Sequence, residues 1–210
     1  MNEMLISDSA LLIGIDEAGR GPWTGSVFAG AVILNPACNI VGLVDSKKLT
    51  AARRELLAEQ IKTNALAWGV GAANAAEVDT HNVLQATFLA MRRALLMMRK
   101  TMPAAQKDKP LHAWVDGNRD PILSIPTTTI VKGDATVPAI SAASILAKVA
   151  RDAESHAIHL QYPHYGFAQH KGYGTALHSA NLLRYGALPV HRRSFAPVAR
   201  WYAVNNDTKP

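Results

Sequence analysis

A single cysteine, Cys38, stands in 210 residues, so the chain can form neither an internal disulfide nor a multi-thiolate zinc site. Alone, Cys38 reads as a small inert hydrophobe. No uncharged apolar run reaches the ~18 residues that a membrane-spanning helix needs. The start, Met1-Asn2-Glu3-Met4, is acidic, and its apolar stretch at 10–15 is too short for a secretory leader. A soluble, cytoplasmic protein is therefore expected, with no membrane partner. Charged residues are few at 18%, yet apolar residues reach 49%, which is the mixture of a folding chain rather than a disordered one. There is no internal repeat, no low-complexity tract and no linker, so residues 1–210 are expected to form one domain.

Acids are outnumbered. Lys plus Arg total 22 against 16 Asp plus Glu, a net charge of +6. Between Lys148 and Arg200 the excess is sharper, with seven basic residues, two acidic ones and six of the eight histidines. A one-sided basic segment suits a polyanion such as nucleic acid, which gains by counterion release. Solubility alone gives the same composition, so the charge needs local support.

The coarse pattern is α/β. Apolar and β-branched runs at 11–16, 26–34, 66–72, 111–115 and 124–131 read as strands. Thr50 can cap a helix over 51–64 with Ala52, Leu56 and Ile61 on its apolar side. A longer helix at about 79–100 carries Leu84, Phe88, Met91, Leu95 and Met98 at alternating spacings of four and three, a core-facing stripe. Ser141 can cap a helix over 142–161, with Leu146, Val149, Ala153 and Ala157 on its apolar side and Pro163 closing it. Gly-, Tyr- and His-rich loops follow, then a helix at 175–185. The last residues, about 203–210, have little to bury and are expected to be loose.

Four carboxylates share one context. Asp16 and Glu17 follow the first strand, Asp116 the fourth and Asp134 the fifth. Sites in α/β sheets gather outside the carboxyl ends of strands, where residues distant in sequence can converge. Two ionised carboxylates ~5 Å apart repel by roughly 3 kcal/mol at an effective dielectric near 20, so a cluster of four calls for a cation. Hard oxygen ligands favour Mg²⁺ or Mn²⁺ over zinc, and paired ions of that kind suit phosphodiester hydrolysis. The competing explanation is four turn carboxylates satisfied by nearby N–H groups. Gly19-Arg20-Gly21-Pro22, directly after the acid pair, offers close backbone approach to an anion or sugar hydroxyl and a charged fork for phosphate. A dinucleotide fingerprint with Asp45 as its acid is excluded, because the glycine spacing is off by one and strand, not helix, follows. The segment 25–30 lacks the Lys and Ser/Thr of a phosphate-binding P-loop.

The ordered set of blocks is more specific than any member. Gly14-Ile15-Asp16-Glu17-Ala18-Gly19-Arg20-Gly21-Pro22, Asp45-Ser46-Lys47-Lys48-Leu49, Asp116-Gly117-Asn118, Lys132-Gly133-Asp134, Ile140-Ser141-Ala142-Ala143-Ser144-Ile145-Leu146-Ala147-Lys148-Val149 and His170-Lys171-Gly172-Tyr173 resemble the ribonuclease HII family, in the family's order, over about residues 11–201.

The resemblance implies a ribonuclease-H-like fold: a mixed central sheet flanked by helices, with a small helical C-terminal portion at about 163–202. It implies an endoribonuclease that cuts the RNA strand of RNA–DNA hybrids and nicks duplex DNA 5′ of an embedded ribonucleotide, leaving 3′-hydroxyl and 5′-phosphate ends. Asp16, Glu17, Asp116 and Asp134 would hold the Mn²⁺ or Mg²⁺ ions. Gly19, Arg20 and Gly21 would contact the ribose 2′-hydroxyl and nearby phosphates, and Tyr173 would pack on the sugar of the next deoxynucleotide. Lys47, Lys48, Lys148, Arg151, His170 and Lys171 match basic positions along the phosphate backbone. Asp152, four residues after Lys148, reads as its ion-pair partner. Two departures stand out: Gly174 where the family usually has proline, and Trp23-Thr24 after Gly-Arg-Gly-Pro. The C-terminus carries no clamp-binding motif, so no sliding-clamp partner is expected, and since nothing in the sequence demands a partner chain, a monomer is expected. Two other functions compete: a resolvase- or transposase-like nuclease on the same fold, and a non-catalytic duplex-binding module.

Overall fold

The computed structural model describes residues 10–44 and 46–206. Five strands, β1 (Leu11–Ala18), β2 (Val27–Ile33), β3 (Ala67–Ala73), β4 (Leu111–Asp116) and β5 (Thr127–Ile130), form one sheet in the order β3-β2-β1-β4-β5. The first three pair antiparallel, whereas β1–β4 and β4–β5 are parallel, so the sheet is mixed. The parallel half sets the site, because β1, β4 and β5 all end at the same edge. The α/β mixed sheet flanked by helices is as expected from the sequence.

Alternation along β1 sorts its side chains. Ile13 and Ile15 join the core formed with α2 (Ala75–Thr101), where Ala86, Ala90, Met91, Ala94, Leu95 and Met98 are buried. Gly14 and Asp16 face the other way, toward α4 (Pro138–Gln161). A Cβ at Gly14 would lie 2.0 Å from the carbonyl carbon of Ala139, and one at Gly30 would lie 2.3 Å from the oxygen of Ala143. These two glycines let α4 lie directly on the sheet. A second core then fills the space between α4, α1 (Ala51–Asn64) and β2. The short α3 (Gly133–Thr136) precedes α4, and α5 (Phe167–His170), α6 (Ala176–Tyr185) and α7 (Ala196–Asn206) make up the helical C-terminal part. Among the described residues, no helix is long and apolar enough to cross a membrane.

Several local expectations are corrected. Helix α1 runs over its expected span with Thr50 as cap, but it buries Leu57, Ala58 and Ile61 and leaves Leu56 exposed. Helix α2 starts at Ala75 rather than near Asp79, because Asn74 and Glu77 form a reciprocal capping box; it bends at Asn82, whose φ is 64°. Helix α4 begins at Pro138, so Ser141 is not its cap; the Ser141 hydroxyl donates instead to the Asp134 carbonyl at 2.7 Å. Ala153 and Ala157 are exposed, and the buried side of that half is Arg151, Ser155 and Ile158. Residues 203–206 are helical, within α7, rather than loose; residues 207–210 lie outside the described residues.

Candidate active site

Strand register builds the acid group. In the parallel β1–β4 pair Ile15 lies opposite Val115, so the next residues, Asp16 and Asp116, emerge side by side at the carboxyl ends. On the far side of β4, Asp116 lies opposite Ile130 of β5. The chain then turns through Lys132, at φ 58°, into α3, and the Asp134 N–H donates to Asp116 Oδ1 at 3.3 Å. All four sequence-identified acids thus meet at one sheet edge. Asp16 and Asp134 are buried, and Asp134 Oδ2 lies 3.7 Å from Lys47 Nζ.

The electrostatics of this edge are unfavourable as it stands. Burial, then Glu17 and Asp116, hold the Asp16 carboxyl well above its ordinary range, although the Glu17 N–H donates to it at 2.7 Å and Ser144 also hydrogen-bonds it. The Ser144 hydroxyl lies 2.8 Å from that of Ser46, tying α4 to the segment that carries Lys47. Glu17 is likewise raised, chiefly by burial; Arg20, 3.3 Å from its Oε1, opposes the shift and Asp116 adds to it. Among the described residues, no three His, Cys, Asp or Glu side chains are drawn together tightly enough to hold an ion as they stand. The donor set nevertheless fits a hard divalent cation: every member is a carboxylate, and the crowding of negative charge is what an ion relieves.

Beside the acids lies a cleft of about 250 Å³, lined by Glu17, Gly19, Arg20, Gly21, Ser46, Lys47, Ser144, Lys148, Arg151, Asp152, Lys171 and Tyr173. Its floor is the Gly-Arg-Gly loop. Gly19 has a φ of 96°, and a Cβ there would meet Arg151 Cδ at 2.9 Å. Arg192, fully buried, holds the loop from beneath: its guanidinium donates to the carbonyls of Gly19 at 2.6 Å, Arg20 at 3.0 Å and Gly25 at 2.9 Å. Burial pushes its pKa down to about 10, which leaves it cationic at neutral pH. Glu154 braces the loop's far end, accepting from the Ser26 N–H at 2.8 Å and its hydroxyl at 2.5 Å. The Tyr173 ring, half exposed, stands over Gly21, where a Cβ would lie 3.2 Å from its Cε1.

The expected basic residues divide. Arg20, Lys47, Lys148 and Lys171 line the cleft. Lys148 is paired with Asp152 as expected, and Asp152 also meets Arg54 at 3.4 Å. Arg151 lines the cleft too, but it is buried and donates to the Ser155 hydroxyl and the Lys171 carbonyl. Lys48 is exposed outside the lining. His170 is corrected: it is buried, its Nε2 lies 2.8 Å from the Tyr165 carbonyl and its Nδ1 accepts from the Gly172 N–H at 3.2 Å, so the ring is committed to backbone. Asp45 lies outside the described residues. Sequence reasoning missed Ser144, Glu154 and Arg192, which touch the acids or the loop, and Ser46, which hydrogen-bonds Ser144; none carries a chemical signature of its own.

The sequence model of the family described as ribonuclease HII matches residues 13–198. The chain belongs to the ribonuclease HII family. A ribonuclease HII from Bordetella avium (strain 197N) is 58% identical over 185 residues, covering 88% of this chain and 88% of that one. Among solved structures, the ribonuclease H2 from Pyrococcus horikoshii OT3 superposes with a TM-score of 0.69 at 24% identity, covering 94% of this chain and 99% of that one. Bst-RNase HIII in complex with Mn²⁺ superposes with a TM-score of 0.73 at 17% identity, over 95% of this chain and 71% of that one. Both structural likenesses bear on the fold. Two positions singled out in this ribonuclease HII sequence, Trp23 and Gly174, meet in the structure. The Trp23 ring occupies the space beside Gly174, where a Cβ would come within 2.0 Å of Trp23 Cζ2, and the Trp23 N–H donates to the Gly172 carbonyl at 2.8 Å. A proline could not replace Gly174 while Trp23 keeps this position.

Proposed function

We propose that this protein is a divalent-metal-dependent endoribonuclease that hydrolyses the RNA strand of RNA–DNA hybrids and nicks duplex DNA on the 5′ side of an embedded ribonucleotide, giving 3′-hydroxyl and 5′-phosphate ends. The observation that carries this reading is the adjacency of two features: acids delivered to one edge by β1, β4 and α3, and a glycine loop whose carbonyls are drawn inward onto Arg192. With its carbonyls committed below, the loop of Gly19, Arg20 and Gly21 can present N–H groups to a ribose 2′-hydroxyl and its phosphates.

Asp16, Glu17, Asp116 and Asp134 would hold the ions, Mg²⁺ or Mn²⁺. When bound, a pair of such ions supplies Lewis-acid activation of water and stabilises charge on the leaving oxygen. Ser144 orients Asp16, and Lys47 lies against Asp134, where it can meet a scissile-strand phosphate. Lys148 and Lys171 flank the same path. Arg151 supports the Lys171 backbone from below rather than reaching phosphate. Tyr173, standing over Gly21, packs on the sugar next to the ribonucleotide, where an extra hydroxyl would clash. We read the whole chain as one domain that acts as a monomer in the cytoplasm, without a sliding-clamp partner.

The test is cleavage of a labelled DNA duplex carrying one ribonucleotide, beside an all-DNA duplex and a long hybrid, in Mg²⁺, in Mn²⁺ and in EDTA. Nicking 5′ of the ribonucleotide in at least one metal, none in EDTA and none of all-DNA are expected. Equal cutting of all-DNA would reject ribose recognition and favour a resolvase-like nuclease; binding without cutting in either metal would favour a duplex-binding module.

A further inference from the structure

Behind Tyr173 lies a buried histidine pair whose proton positions are fixed by its surroundings. His191 Nδ1 accepts the Leu188 N–H at 2.9 Å, so the neutral ring carries its proton on Nε2. That nitrogen is 3.1 Å from His178 Nε2, which must therefore accept. The His178 proton is left on Nδ1, 3.0 Å from the Tyr173 carbonyl. Each bond dictates the next, giving a single-tautomer chain from the C-terminal segment to the Tyr173 backbone. Both rings are almost fully buried. Burial pushes each pKa down to about 4, so both are neutral in the cell's pH range. The His178 ring is clamped between His170, stacked at 4.6 Å, and Trp23 at 4.9 Å.

The Tyr173 carbonyl has a second donor, the Thr175 N–H at 2.8 Å, but between them stands Gly174, which imposes little on the backbone. The Tyr173 ring is half exposed, so packing of the ring alone does not fix it, and its backbone is held by its N–H to the His170 carbonyl at 2.9 Å on one side and by the bonds to its carbonyl on the other.

We propose that His178, oriented by His191, is a positioning residue that holds Tyr173 over Gly21 and so sets discrimination at the sugar beside a lone ribonucleotide. The proposal rests on the reading of Tyr173 as that sugar's contact. It does not touch the acids, so hydrolysis inside long RNA tracts depends on it less.

Two amides separate the two ends of the His178 ring. In His178→Asn the amide nitrogen takes the place of Nδ1 and can still donate to Tyr173; in His178→Gln it takes the place of Nε2, and the Tyr173 bond is lost. Cleavage of a lone-ribonucleotide duplex and of a long hybrid is measured for both, beside Tyr173→Ala, below the lowest melting temperature of the set. His178→Gln should lower the lone-ribonucleotide to hybrid ratio of kcat/KM by about five- to tenfold, the worth of one hydrogen bond, and His178→Asn should keep it within about threefold of wild type. A parallel fall on both substrates in both variants, or a wild-type ratio in His178→Gln, overturns the proposal. Tyr173→Ala separates the two readings: an unchanged ratio there removes the Tyr173 role, whereas a changed ratio there with none in His178→Gln removes only the relay. Imidazole ¹⁵N NMR of the wild-type protein gives a check that needs no variant to fold. A His178 proton on Nδ1 is expected, and one on Nε2 overturns the chain.

Discussion

Asp16 sits where three effects meet: strand register brings Asp116 beside it, the chain places Glu17 next to it, and α4 covers it. Its carboxyl and that of Glu17 are both raised above their ordinary values of 3.8 and 4.5, first by burial. A raised folded-state pKa supplies stability that is present in full below the unfolded value and is lost as pH rises through the folded one. The metal-free protein therefore carries an unfavourable acid group at neutral pH, which a divalent cation, if bound there as proposed, would relieve. Two outcomes are expected. Mn²⁺ or Mg²⁺ should raise Tm by an increment that grows with pH above the ordinary carboxylate range. Asp16→Asn should raise the metal-free Tm by about 2–4 °C for each 1 kcal/mol relieved while abolishing turnover and sparing duplex binding. Thermal melts across pH with and without metal check the first, and melts, filter binding and cleavage of the variant check the second; substantial residual cleavage would argue against the metal assignment. At this scale the sequence was informative where chemistry is rare. An acid near the end of an apolar run is conspicuous, so Asp16, Glu17, Asp116 and Asp134 could be singled out from the chain, although Asp16 and Glu17 lie within β1 rather than after it and Asp134 lies in α3. Arg192 was not, because an arginine in a basic stretch looks the same whether it lies on the surface or, as here, is buried under three carbonyls.

Helix α4 shows how an element carries the site. It lies against β1 and β2 only because Gly14 and Gly30 have no side chains there, and along it come Ser141 on Asp134, Ser144 on Asp16, Lys148 on Asp152 and Glu154 on Ser26. Pushing the helix away by one methyl therefore acts on stability and activity together. Gly14→Ala should cost roughly 1–3 kcal/mol or more, as overpacking does, and should lower cleavage of every substrate, since the Ser144 contact with Asp16 lengthens. Urea unfolding with parallel assays checks this; full stability in the variant would mean that α4 adapts freely. Elements were legible by period and less so by boundary. The start of α1 was readable from Thr50, but its apolar side was misassigned because Leu56 and Leu57 are neighbours and only tertiary packing chooses between them. The start of α4 was misplaced because Pro138 with Val137 opens the helix without a side-chain cap, leaving Ser141 as the nearest conventional candidate.

For the whole molecule, the basic C-terminal stretch means something other than its charge count suggests. Of its seven bases, Arg192 and Arg151 are buried in backbone hydrogen bonds, Lys148 is paired with Asp152, Arg184 lies over Tyr185 at 5.1 Å and Arg193 over Tyr202 at 4.9 Å. Much of the stretch serves to close the C-terminal part onto the Gly-Arg-Gly loop. Gly25 donates to Val190, Arg192 to Trp23, and Thr24 bridges His191, across more than 160 residues of sequence. Pairings so distant left no periodic trace, which is why the closure could not be read from the chain. The cleft draws its cations from both ends instead: Arg20 and Lys47 from the N-terminal third, Lys148 and Lys171 from the C-terminal one. Phosphate contact should therefore follow the cleft rather than the charge-dense segment. Lys47→Ala should weaken hybrid binding and reduce the slope of log affinity against log salt by about 1. Arg184→Ala, which removes the same charge from outside the cleft, should leave that slope unchanged. Binding isotherms from low to moderate salt, with metal withheld to prevent cleavage, decide it: equal slope changes in the two variants would mean that the molecule holds its duplex through diffuse charge, and the cleft would lose its claim to set the path of the strand.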